Sequence, residues 1–364
     1  MNIKFVNCIF SSDTSATLTN TIMELGDAAK FVFEGCYFFM SDSGVTSTTF
    51  TQSRFSNCIF EQFGPLDPTK LRHFLSLGAI QYSLLDDCQF KGYAAKSVIK
   101  STTIASSVFR RIYSKSNVLA LGSGGDAVFD LGSIQSSEFT RIESEPAIGS
   151  DRTTPVIFLA TNFFGSQLSH LKGRLAVSGI VVSDASVGND AEEAIISNCI
   201  LLGTTLFEAN SRGITLPRHK RVNVCDNFVQ QYRVGYFLQE GARSVISDNH
   251  AAFCSDGFDF DGSVNPITEQ CKITGNQVSV DSLATGIGFN MKDAESCHMS
   301  SNHVAADIGA FASGFKGYDL TGSVSLIGGH ITTAHLAGYA APTGFTGDLV
   351  SNTAVSLYNT YLES

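Results

Sequence analysis

The chain has no Trp, only 7 Pro and only 16% charged residues. Long charged helical runs are missing, and 33 Gly with 28 Phe point instead to an all-β chain. The lack of Trp weighs against a dedicated aromatic platform for glycans. No stretch of about 18 apolar residues occurs, which excludes a membrane-spanning helix. The start, Met1-Asn-Ile-Lys-Phe-Val-Asn-Cys8, lacks a cationic region followed by an apolar run and reads as strand rather than signal peptide. The longest basic cluster is Arg218-His-Lys-Arg221 in a chain of net charge −10, so neither a nucleic acid nor an acidic membrane is the expected partner. A local basic groove remains compatible with that balance. There are nine Cys but no Cys-x-x-Cys pair, and an odd count fits neither a closed disulfide framework nor a zinc ribbon. Reduced thiols fit synthesis in a reducing cytosol.

What the sequence does contain is a repeat. Ser244-Val-Ile-Ser-Asp-Asn249, Cys271-Lys-Ile-Thr-Gly-Asn276 and Cys297-His-Met-Ser-Ser-Asn302 are one phrase, their Asn residues 27 and 26 apart. Val222-Asn-Val-Cys-Asp-Asn227 precedes it by 22 residues, and Val324-Ser-Leu-Ile-Gly-Gly329 follows with Gly in the Asn place. Short alternating segments at a period in the twenties predict a β-solenoid. Alternation points Ile246, Ile273, Met299 and Leu326 inward and Val245, Lys272, His298 and Ser325 outward. A second strand follows each Asn. Aligning Gly235-Tyr-Phe-Leu-Gln239, Gly257-Phe-Asp-Phe-Asp261, Gly286-Ile-Gly-Phe-Asn290 and Gly314-Phe-Lys-Gly-Tyr318 predicts an inner row of Tyr236, Phe258, Ile287 and Phe315. The outer rows are then Phe237, Asp259, Gly288 and Lys316, and Gln239, Asp261, Asn290 and Tyr318.

Cys8, Cys36, Cys58 and Cys88 recur in variants of Asn-Cys-Ile-Phe, with Ser107 and Ser137 read as their replacements and Cys199 as its return. This is expected of a small stacked core side chain, not of a metal ligand. Residues 1–140 read as further coils, and turn-rich excursions fall around residues 141–221. No linker divides the chain, so one domain over residues 1–364 is expected. A solenoid end is an open sheet edge, which calls for a cap, an upstream domain or a partner subunit.

Coils of 22 to 30 residues, stacked Phe, Ile and Val, and a recurring corner Asn resemble the right-handed parallel β-helix of the pectin lyase-like superfamily. That resemblance covers nearly the whole chain and is one of pattern. It implies a polysaccharide or cell-surface glycan as partner, bound or cut on an outward sheet face. Phage tailspikes in that superfamily imply a homotrimer and a virion or extracellular place after assembly. The segment Asp256-Gly-Phe-Asp259 is similar to the Asn-Thr-Asp-Gly-Phe/Ile-Asp phrase of polygalacturonase-type hydrolases. The chain departs from that family next: Gly286-Ile-Gly288 carries no His, and Lys316 has no Arg two residues before it.

From the residues themselves, Asp259 and Asp261 share one face of a strand with Cα atoms about 6.5–7 Å apart, which suits an inverting glycosidase. Asp256 stands at the strand mouth. These three are the expected acid and base residues, with Gln239, Glu240, Asn290 and Lys316 positioning the sugar. His250 and His303 belong to a row of Phe228, His250, Gln277, His303 and His330, read either as sugar-binding groups or as corner residues capping carbonyls. Tyr232, Tyr236 and Tyr318 are the tyrosines considered for stacking on a sugar. The carboxylates lack EF-hand spacing, and neither metal nor cofactor is expected. Lyase chemistry is the weaker branch, since it calls for a Lys or Arg base and a basic groove. Turn chemistry at Asp-Gly and charge on a solvated edge would account for the same residues in a non-catalytic virion or adhesin β-helix, the alternative reading.

Overall fold

The computed structural model describes residues 2–11, 21–40, 43–62, 73–94, 97–118, 127–145, 154–182, 191–203, 211–261, 268–279, 286–292, 294–295, 297–305, 316–321, 325–333, 339–340 and 346–350. At some of these, Asp261 and residues 316–350 among them, only the backbone is described. Among the described residues every regular element is a β-strand, and the pairings are parallel, so the fold is a parallel β-solenoid. The chain divides into two compact units, Met1–Val181 and Val182–Ser364.

In the first unit one wall stacks Ile3–Val6, Phe31–Glu34, Arg54–Ser56, Leu84–Ala94, Val108–Val118, Glu138–Glu145 and Gln167–Arg174. A second wall stacks Thr21–Glu24, Ser43–Thr51, His73–Gln81, Ser97–Ala105, Ala127–Gln135 and Thr154–Phe164. Apolar residues at alternate positions close the space between them. Phe33 and Phe55 lie 4.7 Å apart at 11°, Phe38 and Phe60 4.6 Å at 5°, and Phe109 and Phe139 4.6 Å at 14°. Parallel rungs recur about 4.8 Å apart, so like side chains stack face to face along the coil.

The corners of this unit hold two separate files. Ser53, Ser83, Ser107, Ser137 and Ser166 form one, in which each hydroxyl after the first accepts the N–H of the serine one rung earlier at 3.0–3.2 Å, and Ser53 accepts that of Phe31. The Cys file is different. Cys58 and Cys88 lie in register, and the residue level with Cys88 in the next rung is Ile112, followed by Ile142 and Leu171. Ser107 and Ser137 therefore do not replace Cys; they sit at the other bend, where a hydroxyl is needed to serve a backbone amide. The thiols serve carbonyls instead, Cys58 donating to Ser56 at 3.3 Å.

All nine Cys are free, seven buried and Cys8 and Cys225 half-buried. Rungs about 4.8 Å apart place stacked Cys within the Cα range a disulfide accepts, so their free state is a testable property. Unfolded in guanidinium without reductant, the chain should yield nine reactive thiols. In the native protein only Cys8 should react quickly, because burial and the Asp226 charge push the half-buried Cys225 thiol up to about 11, and a shortfall from nine in denaturant would mean that a bridge had formed.

The second unit has the same build with a different corner. Its first ladder is Ile195–Ser197, Asn223–Cys225, Val245–Ser247, Lys272–Thr274 and His298–Ser300. Ile246, Ile273 and Met299 are fully buried while Val245 and Lys272 are exposed, as alternation predicted. Leu326 and Ser325 have no described side chains. After the last four of these strands comes a residue in the left-handed conformation, Asp226, Asp248, Gly275 or Ser301, then the buried Asn227, Asn249, Asn276 or Asn302; after the first come left-handed Asn198 and the buried Cys199. Each of the first three Asn finds its side-chain partners within the protein. Asn249, for example, donates Nδ2 to Val224 O at 2.8 Å and to Asn276 Oδ1 at 3.0 Å, while its own Oδ1 accepts the N–H and Nδ2 of Asn227. The recurring Asn is thus an internal file that satisfies the backbone at a bend where the strand ladder breaks off.

Of residues 141–221, where excursions were expected, the described parts include regular strands. Glu138–Glu145, Thr154–Phe164 and Gln167–Arg174 are regular in the first unit, and Arg212–Thr215 is regular in the second. Residues 146–153, 183–190 and 204–210 lie outside the described residues.

Candidate functional site

The wall of interest in the second unit stacks Arg212–Thr215, Val234–Phe237, Asp256–Asp261, Ile287–Lys292 and Lys316–Thr321. Its inner row is Ile214, Tyr236, Phe258 and Phe289, with Tyr236–Phe258 rings 4.4 Å apart at 2° and Phe258–Phe289 rings 4.8 Å apart at 3°. The stack fixes a register that differs from the sequence alignment. Phe289, not Ile287, lies level with Phe258, a slip of two residues. A two-residue slip leaves the inward–outward alternation intact, so hydrophobic pattern alone could not detect it.

The consequences for the expected site are specific. Asn290 stands beside Asp259, not beside Asp261, and donates Nδ2 to Asp259 Oδ1 at 3.1 Å. Asp261 is level with Lys292. The next strand is displaced by an odd number: Lys316 is level with Ile287, on the parity of the inner row and not of Asp259. Tyr318 is level with Phe289, and Asp319 takes the place beside Asn290. The outward row through Asp259 therefore runs Phe237, Asp259, Asn290, Asp319.

Asp256 does not share the face of Asp259. It is level with Val234, and its Oδ1 accepts the Ile287 N–H at 2.8 Å. Burial pushes its carboxyl above the usual range, opposed by that hydrogen bond and by the charge of Arg233. Gly286 passes so close that a Cβ there would collide with Ser255 O and the Asp256 carboxylate, which is why the chain has Gly at this point. Gln239 and Glu240 are half-buried just past Val234–Phe237. Leu238 donates to Asp259 O at 2.8 Å, which continues the register and keeps Gln239 near the level of Asp261.

Sequence reasoning missed a guanidinium at this face. Arg212, in a stretch read as an excursion, lays its Cζ 3.6 Å from the centroid of the Phe237 ring. Burial lowers the Arg212 pKa, the Asp259 charge raises it and Arg233 lowers it again. Asp259 thus accepts from an amide donor and interacts electrostatically with a half-buried cation. Only the three-dimensional rung order could reveal this, because Arg212 is 47 residues from Asp259 in sequence.

The histidines lie elsewhere. His250 and His303 are on the ladder of Phe228–Gln230, His250–Ala252, Gln277–Ser279 and Asn302–Ala305, a different wall from that of Asp259. Thr332, not His330, is level with His303. His250 is half-buried, its Nε2 2.8 Å from Ser279 Oγ and its ring edge-on to Phe228 at 5.2 Å, and burial lowers its pKa. Tyr232 and Tyr236 are fully buried and cannot meet a sugar; Tyr236 donates its hydroxyl to Asn227 O at 2.8 Å. Among the described residues no group of three or more His, Cys, Asp or Glu is placed to hold a metal ion, and no helix is long and apolar enough to cross a membrane.

Residues 161–324 match the family model described as a right handed beta helix region. With the parallel stack of coils, the fold is a β-solenoid consistent with a right-handed β-helix, a fold compatible with carbohydrate-related or structural roles. No curated protein and no solved structure matches the chain.

Proposed function

We propose that the outward face around Asp259 binds a neutral or weakly charged polysaccharide and hydrolyses it. The observation that carries this reading is Asp259 itself: a carboxylate on an outward sheet face, held by the Asn290 amide and in the electrostatic field of the Arg212 guanidinium. A carboxylate oriented in this way is suited to activate water. Asp261, two residues along the strand and about 6.5–7 Å away at Cα, is the matching acid of an inverting pair. Asn290, Gln239 and Glu240 would position the sugar, and Asp256, tied to the Ile287 amide, would hold the strand mouth. The chain would then serve as a tailspike-like depolymerase, assembled as a homotrimer on a virion after synthesis in a reducing cytosol; its free thiols support the last point.

The test is reducing-end release from a panel of bacterial capsular and O-antigen polysaccharides. Asp259→Asn and Asp261→Asn should each lower the rate at least about 100-fold without new ultraviolet absorbance from unsaturated product. Unchanged cleavage in both variants would sink the assignment.

A second reading is favoured by the way these groups satisfy one another. Arg212 covers the Phe237 ring, and Asn290 occupies Asp259. On that account the face is the solvated side of a non-catalytic appendage, and the wild-type chain would cleave nothing.

A further inference from the structure

The first unit, Met1–Val181, carries a pocket of about 370 Å³ lined by Arg110, Arg111, Glu138, Thr140 and Arg141. Arg110 Nη2 and Arg111 Nη2 meet Asp86 Oδ2 at 2.9 and 2.7 Å, and Arg111 Nε meets Oδ1 at 2.9 Å. Asp86 is buried; burial pushes its carboxyl up, but the hydrogen bonds and charges of the two arginines outweigh this and hold it below its ordinary value. One carboxylate therefore orients two guanidinium forks, whose other N–H groups remain for a further acceptor. Arg141 has no ion-pair partner among the described residues. The Thr140 hydroxyl accepts from Ser169 at 3.1 Å, leaving its own proton to donate.

The backbone makes the residue choice notable. Arg111 and Arg141 occupy the same left-handed bend in successive rungs, at φ 53° and 54°. Earlier rungs fill that bend with Asn57 and Asp87, residues that tolerate the conformation, and the rung after has His170. Two arginines one rung apart repel each other and gain nothing from the bend. Counting Asp86, the group holds three positive and two negative charges in a chain of net charge −10.

We infer that this pocket binds the oxyanion of a ligand, a phosphate, sulfate or carboxylate group, gripped between Arg111 and Arg141 with Arg110 and Thr140 donating from the side. Guanidinium forks match such groups bidentately. The inference does not depend on hydrolysis at Asp259, which lies in the other unit.

Calorimetric titration of the full chain with inorganic phosphate, against chloride at matched ionic strength, tests it. Saturable phosphate binding is expected, weakened at least about tenfold by Arg141→Gln and several-fold by Arg141→Lys, which keeps the charge but loses the fork. Arg141 is exposed, so both variants should fold, and Asp259→Asn should bind phosphate as the wild type does. Parallel arms with sulfate and acetate assign the group: tighter phosphate or sulfate marks a tetrahedral dianion, tighter acetate a carboxylate. Failure of all three to bind, or binding unchanged in Arg141→Gln, would overturn the site.

Discussion

Replacing Asn249 with Leu should lower the stability of the second unit by about 4 kcal/mol, a large loss for one side chain of similar size. The mutation strips the buried Val224 carbonyl and the Asn227 N–H of their partner, and takes one of two hydrogen bonds from Asn227 Nδ2 and from Asn276 Oδ1. A buried polar group stripped of its partner costs about 1–3 kcal/mol; two lose theirs outright and two in part, with relaxation recovering some of the cost. The added apolar burial of Leu cannot offset that, because its neighbours in the file are amides. Urea unfolding should show the midpoint falling at an unchanged slope. Changing Asn276 to Leu as well should cost less than twice as much, since the Asn249–Asn276 side-chain bond is lost only once. A loss under about 1 kcal/mol for the single variant would show that the file is not what holds the corner.

The second large effect is acid destabilisation through His219. This imidazole is buried, with Nδ1 2.9 Å from Ser244 Oγ and Nε2 3.4 Å from the Leu238 carbonyl. It is level with Gly241, where any Cβ would strike the ring. Burial pushes its pKa down to about 4, the Leu238 carbonyl opposing only in part. In the unfolded chain the group returns to about 6.5. Between those values the unfolded chain takes up a proton that the native protein refuses. The stabilisation is therefore complete above pH 6.5 and is lost progressively as the pH falls to about 4, by about 3 kcal/mol in all. His219→Gln should be less stable than wild type at pH 7 yet flatter between pH 6.5 and 4. Carboxylates such as Asp86 and Glu34 also weaken the fold in acid, but they do so equally in both proteins, so the difference in slope isolates His219. Superimposable slopes would exclude it as the titrating group.

The solenoid and the inward face of its strands could be read from the sequence because two signals coincide: alternation and a corner residue that returns each coil. Ile246, Ile273 and Met299 carry both, and they are buried as expected. The wall holding Asp259 has alternation without a returning corner, since residues 262–267 and 280–285 intervene and vary. Matching glycine to glycine then slid Asn290 by two residues and Lys316 by one. Ring stacking settles what glycine could not: Phe289 lies under Phe258 because aromatic faces pack at that spacing. The Ser and Cys files were merged in the sequence reading because both follow a left-handed residue and both are small and buried. Their difference lies in whether an amide or a carbonyl needs a partner. Arg212 and the arginine pocket were invisible for a simpler reason. Their neighbours are one coil away, and nothing local in the sequence marks them.

The asparagine file also has a direction. Each side-chain amide from Asn227 to Asn276 donates toward the rung after it and, through its second hydrogen, back to a carbonyl of the rung before. The amide dipoles consequently align head to tail, polarising one another as peptide units do along a helix. A strand entering the growing stack two residues out of step would satisfy the hydrophobic pattern but would present the file with a side chain unable to receive and pass on the same bonds. In the native stack the file thus distinguishes a register that apolar burial alone leaves open.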